Sequence, residues 1–310
     1  MTDQPTEQPA NQTTGATLRQ RLDYSPITAR RPLALPGNAR VAVWTIVNAE
    51  NWRPTGPMPR TVLPPPMGQP LLPDVPNWAW HEYGMRVGFW RFHEVLSARG
   101  LKASFAVNGT VCELYPQVCQ AALDAGWDFM GHGFVQQPMH RVEDQKAAIA
   151  STIEAIRTFT GKPPRGWESP GLTETEETLD LLRAHGIDYL ADWVIDDLPQ
   201  DIATPHGTIT TIPYSVEMND IPIFALQNHA SAEFLNRGRD QFDRLLAEGA
   251  DNARVMAISI HPYITGVPHR IRYVEELLDY IAGHDEACFM TASPIGDRYR
   301  AEMRRLSERG

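Results

Sequence analysis

Polar side chains suited to hydrolysis follow short apolar runs at three distant points of the chain. Glu50 ends the run 40–50, His132 follows residues 127–130, and His261 follows residues 257–260. A carboxylate can take a proton from water, and an imidazole can protonate a leaving nitrogen. A carboxylate with two imidazoles is also a common ligand set for a catalytic zinc ion. These residue types therefore point to hydrolysis, with or without a divalent metal.

Each of these residues has a specific predicted role. Glu50 is the candidate base, acting on water directly or through a bound divalent ion such as zinc, or it is a buried partner of an arginine such as Arg165. His261 is the candidate acid. His132 lies between two glycines, which permit the close approach of a ligand, and with Glu50 and His140 it forms the candidate metal set. The chain has no H-x-x-x-H pair, so a metal-independent site stays open.

Four further residues are candidates for binding the substrate. Asn48 lies two positions before Glu50, and Glu168 ends a short predicted strand that begins at Gly166. Trp193 and Asp196 lie in the segment ADWVIDDLP. For that segment a solvated acidic loop is an equal alternative.

The elements that must position these residues alternate between strands and helices. Runs of strand type occupy residues 40–50, 102–109, 127–133, 188–193 and 254–263, and helical patterns occupy residues 83–99, 113–125, 142–160, 175–185 and 273–282. This alternation predicts a parallel sheet in an α/β fold, and its length suits a distorted (β/α) barrel of about seven parallel strands. Because all strands of a parallel barrel end at one face, the separate polar groups should meet there.

Two stretches fall outside this alternation. Residues 1–36 are rich in Gln, Thr and Pro and are predicted to be a flexible N-terminal tail or an arm on a neighbouring subunit. Residues 51–77 contain nine prolines and form an irregular loop directly after Glu50, which is either a lid over the site or a surface excursion. Residues 37–310 are predicted to form a single catalytic barrel.

Composition and charge narrow the classes of function. Lys and Arg total 28 against 38 Asp and Glu, which gives a net charge of -10; with no basic block, nucleic acid is not an expected partner. The chain has no apolar run long enough to span a bilayer, and its first residues lack the apolar region of a signal peptide. The odd cysteine count suits a reducing compartment, and none of Cys112, Cys119 and Cys288 adjoins a catalytic motif. We therefore expect a cytoplasmic protein that acts on a small molecule, with no membrane partner.

Six segments carry a resemblance to a known family. They are VNAENW (47–52), GHGFVQQPMH (131–140), RGWESPGLTET (165–175), DYLADWVIDDLP (188–199), IPYSVEMND (212–220) and ISIHPYITGVPHR (258–270). From about residue 40 to residue 292 the chain resembles the polysaccharide deacetylase superfamily of the carbohydrate esterase family 4 type. Within it, the chain looks most like the branch of metal-independent allantoinase and cyclic-imide hydrolases. The resemblance implies a distorted (β/α) barrel and a homo-oligomer.

The sequence departs from the family pattern at its metal site. The catalytic Asp-Asp pair of the family is replaced by residues 48–50, Asn-Ala-Glu, and the second imidazole of the family's H-x-x-x-H pair falls on Gln136. The resemblance thus leaves Glu50 and His132 as metal ligands, completed by His140 or by water. The last motif is intact, so the acid role of the family carries over to His261.

Together these observations predict a hydrolase of non-peptide amide-type C–N bonds in a small ureide, cyclic imide or N-acyl compound. Glu50 would activate water, and His261 would protonate the nitrogen that leaves. Two alternatives remain. One is a carbohydrate N-deacetylase, which would need a shallow groove lined with aromatic residues. The other is a non-catalytic small-molecule-binding paralogue, which the incomplete metal triad would explain.

Overall fold

Short apolar segments build the sheet that carries the strand-end residues. The structure, a computed structural model, describes residues 18–308. Within that range the strands are β1 (Val41–Ala49), β2 (Ala103–Val107), β3 (Asp128–Gly131), β4 (Gly166–Trp167), β5 (Tyr189–Leu190), β6 (Gln200–Thr204), β7 (Gly207–Thr211), β8 (Arg254–Ile260) and β9 (Ala287–Phe289).

Seven parallel strands follow one another in the sheet. The order is β6-β7-β5-β4-β3-β2-β1-β8, with β9 added beside the start of β1, and only the β6–β7 hairpin is antiparallel among the described strands. The outer edge of β8 bonds to irregular chain instead of to a full strand: Val255 N donates to Asp197 O at 3.0 Å and Ser259 N donates to Met218 O at 3.0 Å. This is the predicted distorted barrel of about seven parallel strands, and the fold prediction is confirmed.

Helices cover the outside of the sheet and connect its strands. In residues 18–308 they are α1 (Val75–Tyr83), α2 (Phe89–Ala98), α3 (Val111–Leu114), α4 (Pro116–Asp124), α5 (Gln145–Thr160), α6 (Thr178–Ala184), α7 (Glu233–Glu248), α8 (Ile271–Ala282) and α9 (Ala292–Ser307). A π-helical segment, Gly84–Gly88, joins α1 to α2, and a second occupies Ile221–Leu226. Two predicted helices are therefore interrupted, at Gly84 and at Tyr115.

The alternation of side chains along each strand decides which residues face the barrel interior. In β1, Val41, Val43, Val47 and Ala49 join the core under the helices, whereas residues 42, 44 and 46 join a second core inside the barrel. Because successive side chains of a strand point to opposite faces, residues 48 and 50 continue the inward series. The same argument places residues 108, 132 and 261 inside, since Ala106, Met130 and Ala257 belong to the inner core.

Two glycines in the π-helical segment bring the α1–α2 region against the chain that follows β8. A Cβ on Gly84 would lie 2.5 Å from Tyr263 N, and a Cβ on Gly88 would lie 2.0 Å from Pro262 O. No larger side chain fits at either position without moving backbone. This close approach sets the position of Pro262 and Tyr263, directly after His261.

The predicted N-terminal tail, residues 1–36, is described only from residue 18. Residues 1–17 lie outside the described part of the chain. From there the chain lies on the protein's own body: Arg21 is buried against Asp180 at 2.5 Å, Arg30 pairs with Asp196 at 2.5 Å, and Leu33 is buried. Residues 18–36 are thus held by ion pairs and by apolar contact.

Candidate active site

Four polar residues lie side by side at the carboxyl-terminal end of the barrel. The strand register aligns Ala49 with Val107, Val107 with Gly131, and Gly131 with Trp167. The next residue of each strand is Glu50, Asn108, His132 and Glu168 in turn. Register and inward orientation together place these four in one row at the mouth of the barrel, and all four are buried. The polar residues that follow neighbouring strands therefore lie next to one another at one end of the barrel.

Glu50 lies at the centre of this row and accepts several hydrogen bonds. Its Oε2 accepts from Trp52 Nε1 at 2.6 Å and from the Tyr263 hydroxyl at 3.0 Å. Its Oε1 accepts from Gln136 Nε2 at 2.8 Å and lies 3.5 Å from Arg60 Nη1. The cationic neighbour is therefore Arg60, while Arg165 pairs with Asp188 and Asp297 on the surface.

Burial and charge act in opposite directions on the pKa of Glu50. Burial raises it, but the positive potential of Arg60, His261 and His132 and the bond from Trp52 outweigh burial and lower the pKa to about 2. Glu50 is therefore an anion throughout the neutral range.

His261 is oriented by a buried carboxylate on the far side of its ring. Its Nδ1 lies 2.6 Å from Asp220 Oδ1, and its backbone N–H donates to Asp220 Oδ2 at 2.7 Å. A carboxylate only accepts, so Nδ1 carries hydrogen. The other ring nitrogen, Nε2, then faces Glu50 Oε1 at 3.6 Å. This arrangement presents Nε2 for proton transfer and stabilises an imidazolium between two carboxylates.

His132 presents an unpartnered nitrogen to the same mouth. Its Nδ1 lies 2.7 Å from the carbonyl oxygen of Glu168; because a carbonyl only accepts, Nδ1 is the protonated nitrogen. Burial lowers the pKa of His132 to about 4, against the opposing charge of Glu50, so the ring is neutral at neutral pH. Nε2 is therefore a lone-pair acceptor, and it is buried without a partner.

Asn48 and Glu168 also present unpartnered oxygens. Asn48 Nδ2 donates to Ser259 Oγ at 2.9 Å and Ile260 O at 3.3 Å, which leaves Oδ1 buried and free. Glu168 Oε2 is likewise without a partner, and burial together with the charge of Glu50 raises the pKa of Glu168 to about 8. Glu168 thus carries a proton at neutral pH and can donate. Buried polar atoms are rarely left unpaired unless a ligand or water meets them.

The donor set does not fit a divalent metal. Asn108 Nδ2 donates to Gln136 Oε1 at 3.2 Å, so that Gln136 turns its N–H groups toward Glu50. Glu50 thus accepts three hydrogen bonds and lies 3.5 Å from a guanidinium, and this positive surrounding disfavours a cation. In residues 18–308 no group of three or more His, Cys, Asp or Glu side chains is arranged to hold a metal. A reaction at this site is therefore expected to proceed without a metal ion.

Three residues predicted for the site lie elsewhere. His140 is exposed on a short 3₁₀ turn, Met139–Arg141, away from the buried row. Asp196 is paired with Arg30. Trp193 donates from Nε1 to Glu174 at 3.0 Å and is only partly buried. Strand β5 is two residues long, and both of the latter residues lie beyond it, each bonded to a partner outside the buried row.

Five contributing residues were not predicted: Trp52, Arg60, Asn108, Asp220 and Tyr263. Asp220 ends the segment IPYSVEMND, whose resemblance to the family was the available signal, although no strand pattern marked it. Arg60 lies in the proline-rich loop, where no hydrophobic periodicity indicates which way a side chain points. A cleft of about 460 Å³ lies beside this loop and is lined in part by Met58, Pro59, Gln136 and Pro138. Through Gln136, which donates to Glu50, the cleft reaches the buried row.

Comparison with known proteins agrees with this fold. The sequence profile described as polysaccharide deacetylase matches residues 81–190. A probable polysaccharide deacetylase from Pseudomonas aeruginosa PAO1 superposes with a TM-score of 0.79 at 25% identity, covering 88% of this chain and 96% of that one. Puue allantoinase superposes with a TM-score of 0.78 at 24% identity, covering 90% and 98%.

Two curated relatives show a similar level of sequence identity. A putative polysaccharide deacetylase of Schizosaccharomyces pombe is 24% identical over 240 residues, 71% of this chain and 75% of its own length. The peptidoglycan deacetylase of Helicobacter pylori is 23% identical over 247 residues, 69% of this chain and 84% of its own.

The profile match and the superposed fold support a hydrolase of carbon–nitrogen bonds other than peptide bonds. Residues 81–190 match the polysaccharide deacetylase profile, and the resemblance drawn from the sequence motifs is confirmed. No helix among residues 18–308 has the length and apolar character needed to cross a membrane.

Proposed function

We propose that this protein hydrolyses an amide-type C–N bond in a small cyclic ureide or imide, without a metal ion. The observation that carries the proposal is the buried arrangement of Asp220, His261 and Glu50, with His261 Nε2 3.6 Å from Glu50 Oε1. An imidazole between two carboxylates is suited to accept a proton and to return it. The reaction needs both operations.

His261 can carry the proton through the whole reaction. Neutral Nε2 takes a proton from water as the water oxygen attacks the carbonyl carbon, and the carboxylates of Glu50 and Asp220 stabilise the imidazolium that results. The same Nε2–H then protonates the nitrogen as the C–N bond breaks. Glu50 would act here as a fixed anion that orients water. This role suits a carboxylate whose oxygens already accept hydrogen bonds from Trp52, Tyr263 and Gln136.

The unpartnered atoms at the mouth indicate the class of substrate. Asn48 Oδ1 and His132 Nε2 are acceptors that need two N–H groups, and the protonated carboxyl of Glu168 is a donor that needs a carbonyl. A ureide ring, in which amide N–H and C=O groups alternate, supplies both N–H groups, whereas a simple cyclic imide supplies one. A single acetamido group offers one N–H and one C=O and would leave a buried acceptor unpaired, which is costly.

A carbohydrate N-deacetylase is the second candidate, and the relative from Helicobacter pylori favours it. The enclosure of the site weighs against a long polymer, because Glu50, His132 and His261 are each at most 3% exposed. A non-catalytic binding protein is the third candidate. It would retain the enclosed row of polar atoms but show no turnover.

Purified protein assayed on hydantoin, allantoin, succinimide and an acetylated chitooligomer tests these candidates. Wild type should open a ring compound, and Glu50→Gln and His261→Ala should each lower kcat by about 10²–10⁴-fold. His140→Ala is the control and should keep full activity, as should wild type after treatment with a chelator. Release of acetate from the oligomer alone would favour the deacetylase, and absence of turnover on all four compounds would favour the binding protein.

A further inference from the structure

The proline-rich loop brings a cation into the site from outside the barrel. Arg60 lies midway along the irregular stretch that separates β1 from α1. Its Nη1 lies 3.1 Å from the Tyr263 hydroxyl and 3.5 Å from Glu50 Oε1. Its side chain is 22% exposed, whereas that of Glu50 is fully buried. The guanidinium therefore stands between the buried carboxylate and the exterior.

Helix α1 holds this part of the loop in place. Asn77 Oδ1 accepts from Val62 N at 2.7 Å and Leu63 N at 3.0 Å, and its Nδ2 donates to Leu63 O at 3.0 Å. On the next turn of the same helix, His81 Nε2 lies 2.8 Å from the carbonyl oxygen of Glu50. One helix thus fixes both the loop that carries Arg60 and the backbone of its partner. A surface excursion would not need this double attachment.

Most of the hydrogen-bonding capacity of Arg60 is unused. Among the described residues, only Nη1 has hydrogen-bond partners, and the contact with Glu50 is long at 3.5 Å. Nε and Nη2 keep three N–H groups in the planar geometry that suits oxygen acceptors. Since His132 is neutral at neutral pH, Arg60 supplies a permanent positive charge at the mouth.

We infer that Arg60 binds the carbonyl oxygen of the scissile amide and stabilises the negative charge that develops on it. This rests on the proposed amide hydrolysis. When water attacks the carbonyl carbon, the C=O electron pair moves to oxygen, and the guanidinium meets it without giving up a proton. When the C–N bond breaks, the electron pair returns and His261 protonates the nitrogen. Donors directed at such an oxyanion typically contribute about 10²–10³-fold in kcat.

Substitution of Arg60 gives the first test. Arg60→Gln should lower kcat on the ring compound turned over by wild type by about 10²–10³-fold, with a smaller change in KM. Arg60→Lys keeps the charge and should recover part of the loss. Arg272→Gln, a surface change of the same type, should match wild type. Equal kcat for Arg60→Gln and wild type would overturn the inference while leaving the proposed hydrolysis intact, whereas a wild type without turnover would remove both.

A second test separates substrate binding from mere neutralisation of Glu50. Binding of hydantoin, measured by ligand-observed NMR, is compared between Glu50→Gln and the double variant Glu50→Gln/Arg60→Gln. If Arg60 contacts the carbonyl, the double variant should bind at least about 5-fold more weakly. Identical binding would mean that Arg60 serves only to balance the charge of Glu50, and the inference would fail. Thermal melts of each variant show whether the fold is retained.

Discussion

At the scale of single residues, the position of Asp220 explains why one imidazole can act in the site. Its two oxygens are occupied by the ring and the backbone of His261, and Thr265 donates to one of them as well. The ring is therefore held in one tautomer and one orientation. Neither property is encoded next to His261 in the sequence, because Asp220 is 41 positions away.

Removal of the charge of Asp220 should impair catalysis more than folding. Asp220→Asn keeps an acceptor but loses the carboxylate that stabilises the imidazolium, so kcat should fall by about 10²-fold or more. Steady-state kinetics with a circular dichroism melt would measure both effects. A kcat within threefold of wild type would show that Asp220 has no part in proton transfer.

The protonated carboxyl of Glu168 should make stability depend on pH. Its pKa is raised from 4.5 in the unfolded chain to about 8 in the folded protein. The folded state therefore holds the extra proton more tightly, and the stability this contributes is complete below pH 4.5 and is lost as pH rises to about 8.

Glu168→Gln cannot titrate and should remove this loss. The Tm of the variant minus that of wild type should increase steadily between about pH 5 and about pH 8. Differential scanning calorimetry at a series of pH values would measure it, with the exposed Glu276→Gln as control. A difference independent of pH would contradict a protonated Glu168.

The residues that sequence analysis found share one property. Glu50, His132 and His261 each follow an apolar run, so their place in a parallel barrel was determined by local pattern. Arg60 and Asp220 lie on irregular chain, whose direction depends on distant contacts such as those of Asn77. Trp193 and Asp196 were placed by the same strand-end rule, but the strand before them is too short to hold them at the mouth.

At the scale of elements, sequence patterns missed strands and helices alike, since β6, β7 and β9 and helices α1, α7 and α9 were not predicted. Helix α7 was not predicted, because its sequence is largely polar and its buried face is only Phe234, Gly238, Phe242 and Leu245. The predicted helix from residue 83 to residue 99 is interrupted because Gly84 and Gly88 meet backbone after β8. Hydrophobic periodicity records neither a sparse apolar face nor a contact with another part of the chain.

Gly88→Ala should destabilise the protein although alanine favours helices. Helix propensity would stabilise by about 1 kcal/mol, but the new Cβ would lie 2.0 Å from Pro262 O, a backbone atom. Such overpacking costs about 1–3 kcal/mol or more, so Tm should fall, and activity should fall with it because Tyr263 moves. Urea unfolding would measure the change. Gly56→Ala, with its nearest atom at 3.6 Å, is the control, and an unchanged midpoint for Gly88→Ala would contradict the contact.

At the scale of the whole molecule, the segment before β1 joins parts of the chain that are far apart. Arg21 bonds to Asp180 in α6, to Glu176 O at 2.9 Å and to Ala203 O in β6 at 3.3 Å. A polar composition like that of residues 1–36 predicts disorder by itself. Here the ion pairs of Arg21 and Arg30 and two buried leucines, Leu33 and Leu35, attach the part from residue 18.

Arg21→Ala should therefore lower global stability. It leaves Asp180 and two carbonyl oxygens without their cation, and hydrogen bonds to charged groups contribute about 1.5–3 kcal/mol. Thermal and urea unfolding would measure the loss. Arg19→Ala, two positions earlier and exposed, should have little effect, and equal stability for the two variants would show that the segment is not held by Arg21.

The register that aligns Glu50, Asn108, His132 and Glu168 has a consequence for how such a site can change. Each of the four follows a separate strand, and its position is fixed only by its distance along the chain from that strand's last paired residue. Exchanging one of them alters a single functional group and leaves the hydrogen-bond ladder untouched. Inserting or deleting one residue inside a strand instead moves the functional side chain at its end to the outer face of the barrel. New substrates are therefore accessible to this barrel through point substitutions at its rim, whereas changes in strand length erase the chemistry.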